Sequence, residues 1–186
     1  MKKGNLFVIC GPSGIGKSII CKKLLEKYPG WFLVSVTTRK IRENETDGID
    51  YYFVSKDEFL DKIKNNEFLE YTIYDKEYYG TLKGDIETRL DCGIDVFCIY
   101  DVKGARNIKR IYPNAVLIYI KPKEFSDLEK RLINRGENSN SISDRLEIAQ
   151  KEINDIDDFD YKVINDKLED TINLIYEIVK TKKSID

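Results

Sequence analysis

Eight residues near the amino end carry the most specific chemistry in the chain. Gly11-Pro12-Ser13-Gly14-Ile15-Gly16-Lys17-Ser18 fits the pattern G-x-x-x-x-G-K-[ST] and directly follows the apolar run Leu6-Phe7-Val8-Ile9-Cys10. A buried strand, a glycine-rich turn and an amphipathic stretch in that order are what a phosphate-binding loop requires. Glycines leave room and tolerate positive φ, so that successive backbone N–H groups converge on phosphate oxygens. The following helix N-terminus adds partial positive charge. In such a loop Lys17 bridges β- and γ-phosphates, and the Ser18 hydroxyl ligates Mg²⁺.

Other residues add chemistry of the same kind. Ser35-Val36-Thr37-Thr38-Arg39-Lys40-Ile41-Arg42 sets two arginines three apart beside hydroxyls, able to fork onto one phosphate dianion. A solvated basic loop is the plainer alternative for that segment alone. Glu67-Phe68-Leu69-Glu70-Tyr71 and Tyr78-Tyr79-Gly80-Thr81 offer a carboxylate for the N–H edge of a guanine and tyrosines for stacking or phosphate contact. Taken singly, the same pattern describes a half-exposed strand. Asp101 ends the apolar run 95–100, the edge of a parallel sheet where ligands and Mg²⁺ collect, although an acidic residue can simply end a strand. Lys130, Arg131 and Arg135, with Arg145 beyond a polar segment, suit a lid over a transferring phosphoryl group, or else a solvated helix face.

These groups need elements to position them, and the chain alternates apolar runs with amphipathic ones. Strands are expected at 6–10, 31–36, 51–54, 68–74, 77–80, 95–100, 115–120 and 161–164. Helices are expected at 18–28, 55–64, 84–91, 104–111, 125–134, 144–159 and 168–182, the second opened by Ser55 and Glu58 at capping-box spacing. Residues 37–50 read as a loop, and 136–143 as a mobile polar segment without apolar anchors. The alternation predicts an α/β fold, a parallel sheet with helices on both faces, interrupted by a strand-rich insertion over about 35–82.

Composition narrows the function further. A length of 186 residues and 41% hydrophobic content suit one domain with a sizeable core. A formal net charge of -2 gives no basic field for nucleic acid, and no apolar run reaches membrane-spanning length. The chain has no histidine, and its four cysteines lack CxxC spacing. Zinc binding and cysteine–histidine chemistry are therefore not expected, and the cysteines read as reduced core residues of a cytoplasmic protein. Catalysis must rest on charge placement or carboxylates.

In this order and at this spacing the motifs resemble the guanylate kinase family, P-loop enzymes that move a phosphoryl group from ATP to GMP. The resemblance runs from Gly11 to Val163-Ile164-Asn165-Asp166, and its most specific blocks are Thr37-Thr38-Arg39-x-x-Arg42, Asp47-Gly48-x-Asp50-Tyr51-x-Phe53, Asn66-Glu67-Phe68-x-Glu70 and Tyr78-Tyr79-Gly80-Thr81. It implies a three-layer P-loop fold: core 1–34, 83–123 and 148–186, a GMP-binding subdomain at 35–82, and a helical lid over about 124–147. Gly11 to Ser18 and Asn165 would hold ATP, with Asn165 near the adenine. Ser35, Arg39, Arg42, Tyr51 and Tyr79 would hold the GMP phosphate, while Glu70 and Thr81 would read the guanine and Asp101 would sit nearby. Lys17, Arg39, Arg131, Arg135 and Arg145 would carry the transfer, and Mg²⁺ would meet Ser18 and, through water, Asp101.

The resemblance further implies GMP and dGMP as acceptors, no nucleic-acid or membrane partner, and a monomer or homodimer. Two positions depart from the family. Ile19 stands where a Thr often follows the motif serine, and Ile99 replaces an acidic residue common two positions before Asp101. Two other readings keep the loop: a binding module for phosphopeptides, in which the loop is usually degraded, and a kinase of another small phosphate such as a ribose bisphosphate.

Overall fold

A strand whose every residue is apolar is stable only when both of its faces are covered. In the computed structural model, which describes residues 2–134 and 139–185, β1 (Leu6–Cys10) is buried at all five positions. It lies at the centre of a parallel sheet in the order β2-β7-β1-β8-β9, with β2 at Trp31–Phe32, β7 at Val96–Tyr100, β8 at Val116–Pro122 and β9 at Tyr161–Asn165. Side chains alternate across the sheet. Leu6, Val8, Cys10, Cys98, Tyr100, Leu117 and Tyr119 face α3 (Asp85–Asp91) and α4 (Val102–Ile111). Phe7, Ile9, Phe97, Ile118 and Ile120 face α1 (Lys17–Lys27) and α7 (Leu168–Ile185). The result is three layers, helix–sheet–helix.

A second sheet, in the order β4-β3-β6-β5, interrupts the first between β2 and α3. It comprises β3 (Val36–Thr37), β4 (Tyr52–Phe53), β5 (Phe68–Tyr74) and β6 (Glu77–Leu82). Its small core is Val36, Phe59 and Phe68, closed by α2 (Lys56–Lys64). Ser55 accepts from the Glu58 backbone N–H and the Glu58 side chain returns to the Ser55 N–H, the reciprocal cap expected. Each such cap contributes about 1 kcal/mol. Asp75 and Lys76 turn the β5–β6 hairpin with φ of 51° and 69°. Two consecutive left-handed residues match the twist of the flanking strands.

Two sequence expectations are corrected. Residues 31–36 are not one strand: Trp31 and Phe32 pair with β7, whereas Val36 and Thr37 pair with β4 and β6. Apolar periodicity is blind to which neighbour a strand bonds, so a change of sheet inside one run leaves no trace in it. The segment 136–143 was expected to lack anchors, yet α6 spans Ser139–Ile153. Ile142 and Ala149 are buried against Leu128 and Leu132 of α5 (Phe125–Asn134), with Leu146 between them, an i, i+4, i+7 stripe. The helix also ends earlier than the expected residue 159. Ile156 and Phe159 continue the apolar pattern, but they enter the main core from turns.

Candidate active site

The carboxyl ends of β1, β7 and β9 all point to one edge of the larger sheet, where an open α/β sheet collects ligands. From β1 the chain enters the phosphate loop. A Cβ on Gly11 would sit 2.4 Å from the Ile120 carbonyl oxygen on the adjacent strand, so no side chain fits there. Gly16, at φ 101°, turns the chain into α1. Lys17 then folds back over the loop, donating from Nζ to the carbonyls of Gly11 at 2.6 Å and Pro12 at 3.1 Å. Ser18 is exposed in the first turn of α1.

Several side chains converge on this loop from distant parts of the chain. Arg131 on α5 donates to the Ile15 carbonyl at 2.9 Å, and Arg145 on α6 donates to Ser13 Oγ at 2.7 Å. Asn165, buried at the end of β9, donates from Nδ2 to the same Ile15 carbonyl at 2.8 Å and accepts from Thr171 Oγ1 at 3.1 Å. Its amide therefore holds the loop. Arg135 lies outside the described residues. Beside the loop a cleft of about 340 Å³ is lined by Gly14, Ile15, Gly16, Ile19, Arg131, Asn134, Asn165 and Leu168. Ile19 is 53% exposed there and supplies apolar surface where a hydroxyl is common in the family.

Two carboxyl groups lie within the electrostatic reach of Lys17. Asp101 caps α4, its Oδ1 accepting from the Gly104 N–H at 2.6 Å. Burial raises its pKa against the opposing effect of that bond and of Lys17. Glu152 on α6 was not singled out in the sequence. Burial pushes its carboxyl up to about 7, Lys17 opposes this and Asp101 adds to it, and its Oε2 has no hydrogen-bond partner among the described residues. Carboxyls whose ionised forms burial disfavours, beside a phosphate loop, suit a hard divalent cation, which would favour those ionised forms. The described residues contain no group of three His, Cys, Asp or Glu able to cage a metal. Mg²⁺ typically takes one or two protein oxygens and completes its shell with water and phosphate.

The smaller sheet supplies the opposite wall. Arg39 lies over the rings of Tyr51 and Phe53, 5.5 and 5.6 Å from their centroids, and Tyr51 packs edge-on to Tyr79 at 5.9 Å. The guanidinium forks onto Glu45, Nη1 to Oε2 at 3.0 Å and Nη2 to Oε1 at 2.8 Å. The Arg42 N–H also donates to Glu45 at 2.9 Å. Burial works against ionisation of Glu45, but these bonds outweigh it and hold the carboxyl below its ordinary value. Burial pushes the Tyr51 phenol up to about 12, leaving it a proton donor at neutral pH. Ser35 is buried between β2 and β3, and its carbonyl accepts from the Tyr52 N–H at 2.9 Å.

Glu70 and Thr81 are register partners across β5 and β6, and Thr81 Oγ1 donates to Glu70 Oε1 at 3.2 Å. Thr81 also hydrogen-bonds the buried Tyr100 hydroxyl. Burial raises the Glu70 carboxyl to about 8, Thr81 works against the rise and Asp101 adds to it. Its second oxygen, Oε2, is buried with no partner among the described residues. An orphaned buried carboxyl oxygen is costly unless a ligand supplies a donor. Glu70 is thus coupled to Asp101, and Asp101 to Lys17, in one continuous field from the smaller sheet to the phosphate loop.

Four polar residues of this region escaped the sequence reading: Glu45, Asp75, Tyr100 and Glu152. Glu45 follows Arg42 by three positions, a charge spacing that was readable. Tyr100 shares strand parity with Val96 and Cys98 and looks like core. Glu152 sits in a mixed amphipathic helix with nothing local to mark it, and Asp75 reads only as a turn residue.

Known proteins resemble this chain over nearly its whole length. The family model for guanylate kinase matches residues 3–182. The guanylate kinase of Clostridium tetani is 45% identical over 184 residues, 98% of this chain and 88% of that protein. That of Thermotoga maritima is 42% identical over 184 residues, 98% of this chain and 89% of that protein. Among solved structures, the guanylate kinase from Anaplasma phagocytophilum superposes with a TM-score of 0.84 at 30% identity, covering 97% of this chain and 87% of that one.

Proposed function

The chain belongs to the guanylate kinase family, and from that premise we propose how its residues divide the work. It is a phosphotransferase that moves the γ-phosphoryl group of ATP to GMP, yielding ADP and GDP. The observation that carries the division is Arg145, which donates to Ser13 of the phosphate loop and pairs with Asp75 on the hairpin that bears Glu70 and Thr81, and so links two walls of different chemistry. One wall donates to phosphate. The other offers acceptors to a base and arginine to a phosphate.

On this reading residues 11–18 cradle the ATP phosphates, with Lys17 exchanging its two loop carbonyls for phosphate oxygens. The cleft beside Ile19 and Asn165 receives the adenine. Residues 35–82 form the acceptor-binding unit. Arg39, Arg42, Tyr51, Tyr79 and Ser35 hold the GMP phosphate, while Glu70 and Thr81 read the guanine edge, which presents adjacent N–H donors to a carboxylate. Residues of about 124–147, which take in α5 and the first part of α6, act as a lid, and Arg131, Arg145 and Arg135 carry charge onto the transferring group. Mg²⁺ would be held by Ser18 and, through water, by Asp101, and supplies neutralisation of phosphate charge.

A phosphate monoester is already nucleophilic, so transfer needs no histidine base; alignment and charge neutralisation supply the rate. No helix among the described residues is long and apolar enough to cross a membrane. Cys10, Cys21, Cys92 and Cys98 are all free thiols, which supports a reducing, cytoplasmic setting. The test is coupled ADP release with GMP, dGMP, AMP, dTMP and a ribose bisphosphate as acceptors. GMP and dGMP are expected to support turnover, the others to give at most about a hundredth of it, since a site built on paired hydrogen bonds rejects a base lacking them. Comparable turnover with AMP or the ribose bisphosphate would refute Glu70 and Thr81 as base readers.

A further inference from the structure

Two of the contacts that Arg145 makes reach different parts of the molecule. Its Nη1 donates to Ser13 of the phosphate loop at 2.7 Å, and its Nη2 pairs with Asp75 Oδ2 at 2.9 Å. Asp75 sits at the tip of the β5–β6 hairpin, five residues beyond Glu70 on the element that also carries Tyr79 and Thr81. The Arg145 side chain is 13% exposed and that of Asp75 33%, so the pair is shielded more than an ordinary surface bridge. The turn itself does not require this carboxylate. At φ 51° it requires a residue that tolerates the left-handed region, a role Asn or Gly fills equally well.

We propose that Asp75 is a positioning residue for phosphoryl transfer, holding the Arg145 guanidinium over the phosphate loop from the tip of the acceptor-binding hairpin. An arginine ordered over a loop that carries Lys17 meets a like charge on that loop and loses rotamer entropy. Asp75 offsets both, and it does so from the element that carries Glu70. An acceptor seated on that hairpin therefore meets a donor-side arginine already in place. The inference rests on the assignment of Arg145 to the donor phosphates.

A double-mutant cycle on the full chain tests it, with steady-state kinetics in ATP and GMP and a thermal midpoint for every variant. Asp75→Gly keeps the turn and removes the carboxylate, and Asp75→Asn serves as the second variant should glycine loosen the hairpin. Either is expected to lower kcat about fivefold, with the KM for GMP and the thermal midpoint little changed, the range expected when a partly shielded ion pair to a transfer residue is lost. In an Arg145→Ala background the same substitution is expected to lower kcat no further. If Arg145→Ala itself keeps wild-type kcat, the assignment of Arg145 fails and Asp75 has nothing to position. If Arg145→Ala is slow but the Asp75 variants keep wild-type kcat, or lose as much in both backgrounds, the positioning role is overturned while the assignment of Arg145 stands.

Discussion

The buried carboxyl of Glu70 makes a quantitative demand on acceptor binding. Its folded pKa is about 8, against an ordinary value near 4.5, because burial outweighs the hydrogen bond from Thr81 and Asp101 lies close by. About nine-tenths of the molecules therefore carry a protonated Glu70 at pH 7 before GMP arrives. On the proposed reading a guanine edge presents its donors to this carboxylate, and binding must then expel that proton. Glu70→Gln keeps the shape and removes the titration. Calorimetry of GMP binding at pH 7, in two buffers of different protonation enthalpy, counts the protons released. The wild type should release about 0.9 more than the variant, since any proton from the GMP phosphate is common to both. The stability of the free protein carries the same signature. A carboxyl with a raised folded pKa contributes stability that is full below about 4.5 and is lost as pH rises through about 8. Glu70→Gln should therefore gain on the wild type over that window, by roughly 5 kcal/mol as an upper limit. Equal proton release by the two proteins would mean that GMP binding does not ionise Glu70, and the argument from its raised pKa would fail.

Three further outcomes are expected. Lys17→Ala should lower kcat by about a hundredfold or more, as loss of a charge aimed at the transferring group does, while circular dichroism and the thermal midpoint change little; near-normal turnover would remove Lys17 from the mechanism. Glu45→Gln should raise the KM for GMP several-fold and cost about 2 kcal/mol of stability by urea unfolding, because Arg39 loses a mostly buried partner; a lower KM would instead show that Glu45 competes with the acceptor phosphate. Gly11→Ala should cost about 3 kcal/mol or prevent folding, since the new methyl would lie 2.4 Å from the Ile120 carbonyl oxygen; a thermal midpoint equal to wild type would show that β1 and β8 can part there.

The local signals were legible because they act over short stretches of chain. The loop at 11–18, the capping box at Ser55 and Glu58 and the alternation of strand and helix all appear in the structure as read. Blocks such as Thr37-Thr38-Arg39-x-x-Arg42 pointed to the family as well, and Arg39, Tyr51 and Tyr79 do meet in space. Legibility stopped where a residue's meaning depends on a distant partner. The change of sheet within residues 31–36 is decided by hydrogen bonds to Phe97 on one side and to Tyr52 on the other. The start of α6 at Ser139 is decided by Ile142 finding Leu128 and Leu132.

By itself, then, the sequence determined that a phosphate loop opens a parallel α/β fold and that arginines and carboxylates of the right chemistry for a nucleotide lie ahead of it. Those facts reside in residue type, spacing and propensity, which are properties of contiguous chain. Only the tertiary structure decided which charges share a field. It set Glu152 near Lys17 and Asp101, Glu45 beneath Arg39, and Asp75 against Arg145 across 70 positions. Coulomb energy and desolvation depend on distance and burial, not on chain order, so these pairings became visible only once the two sheets and the helices around them were in place.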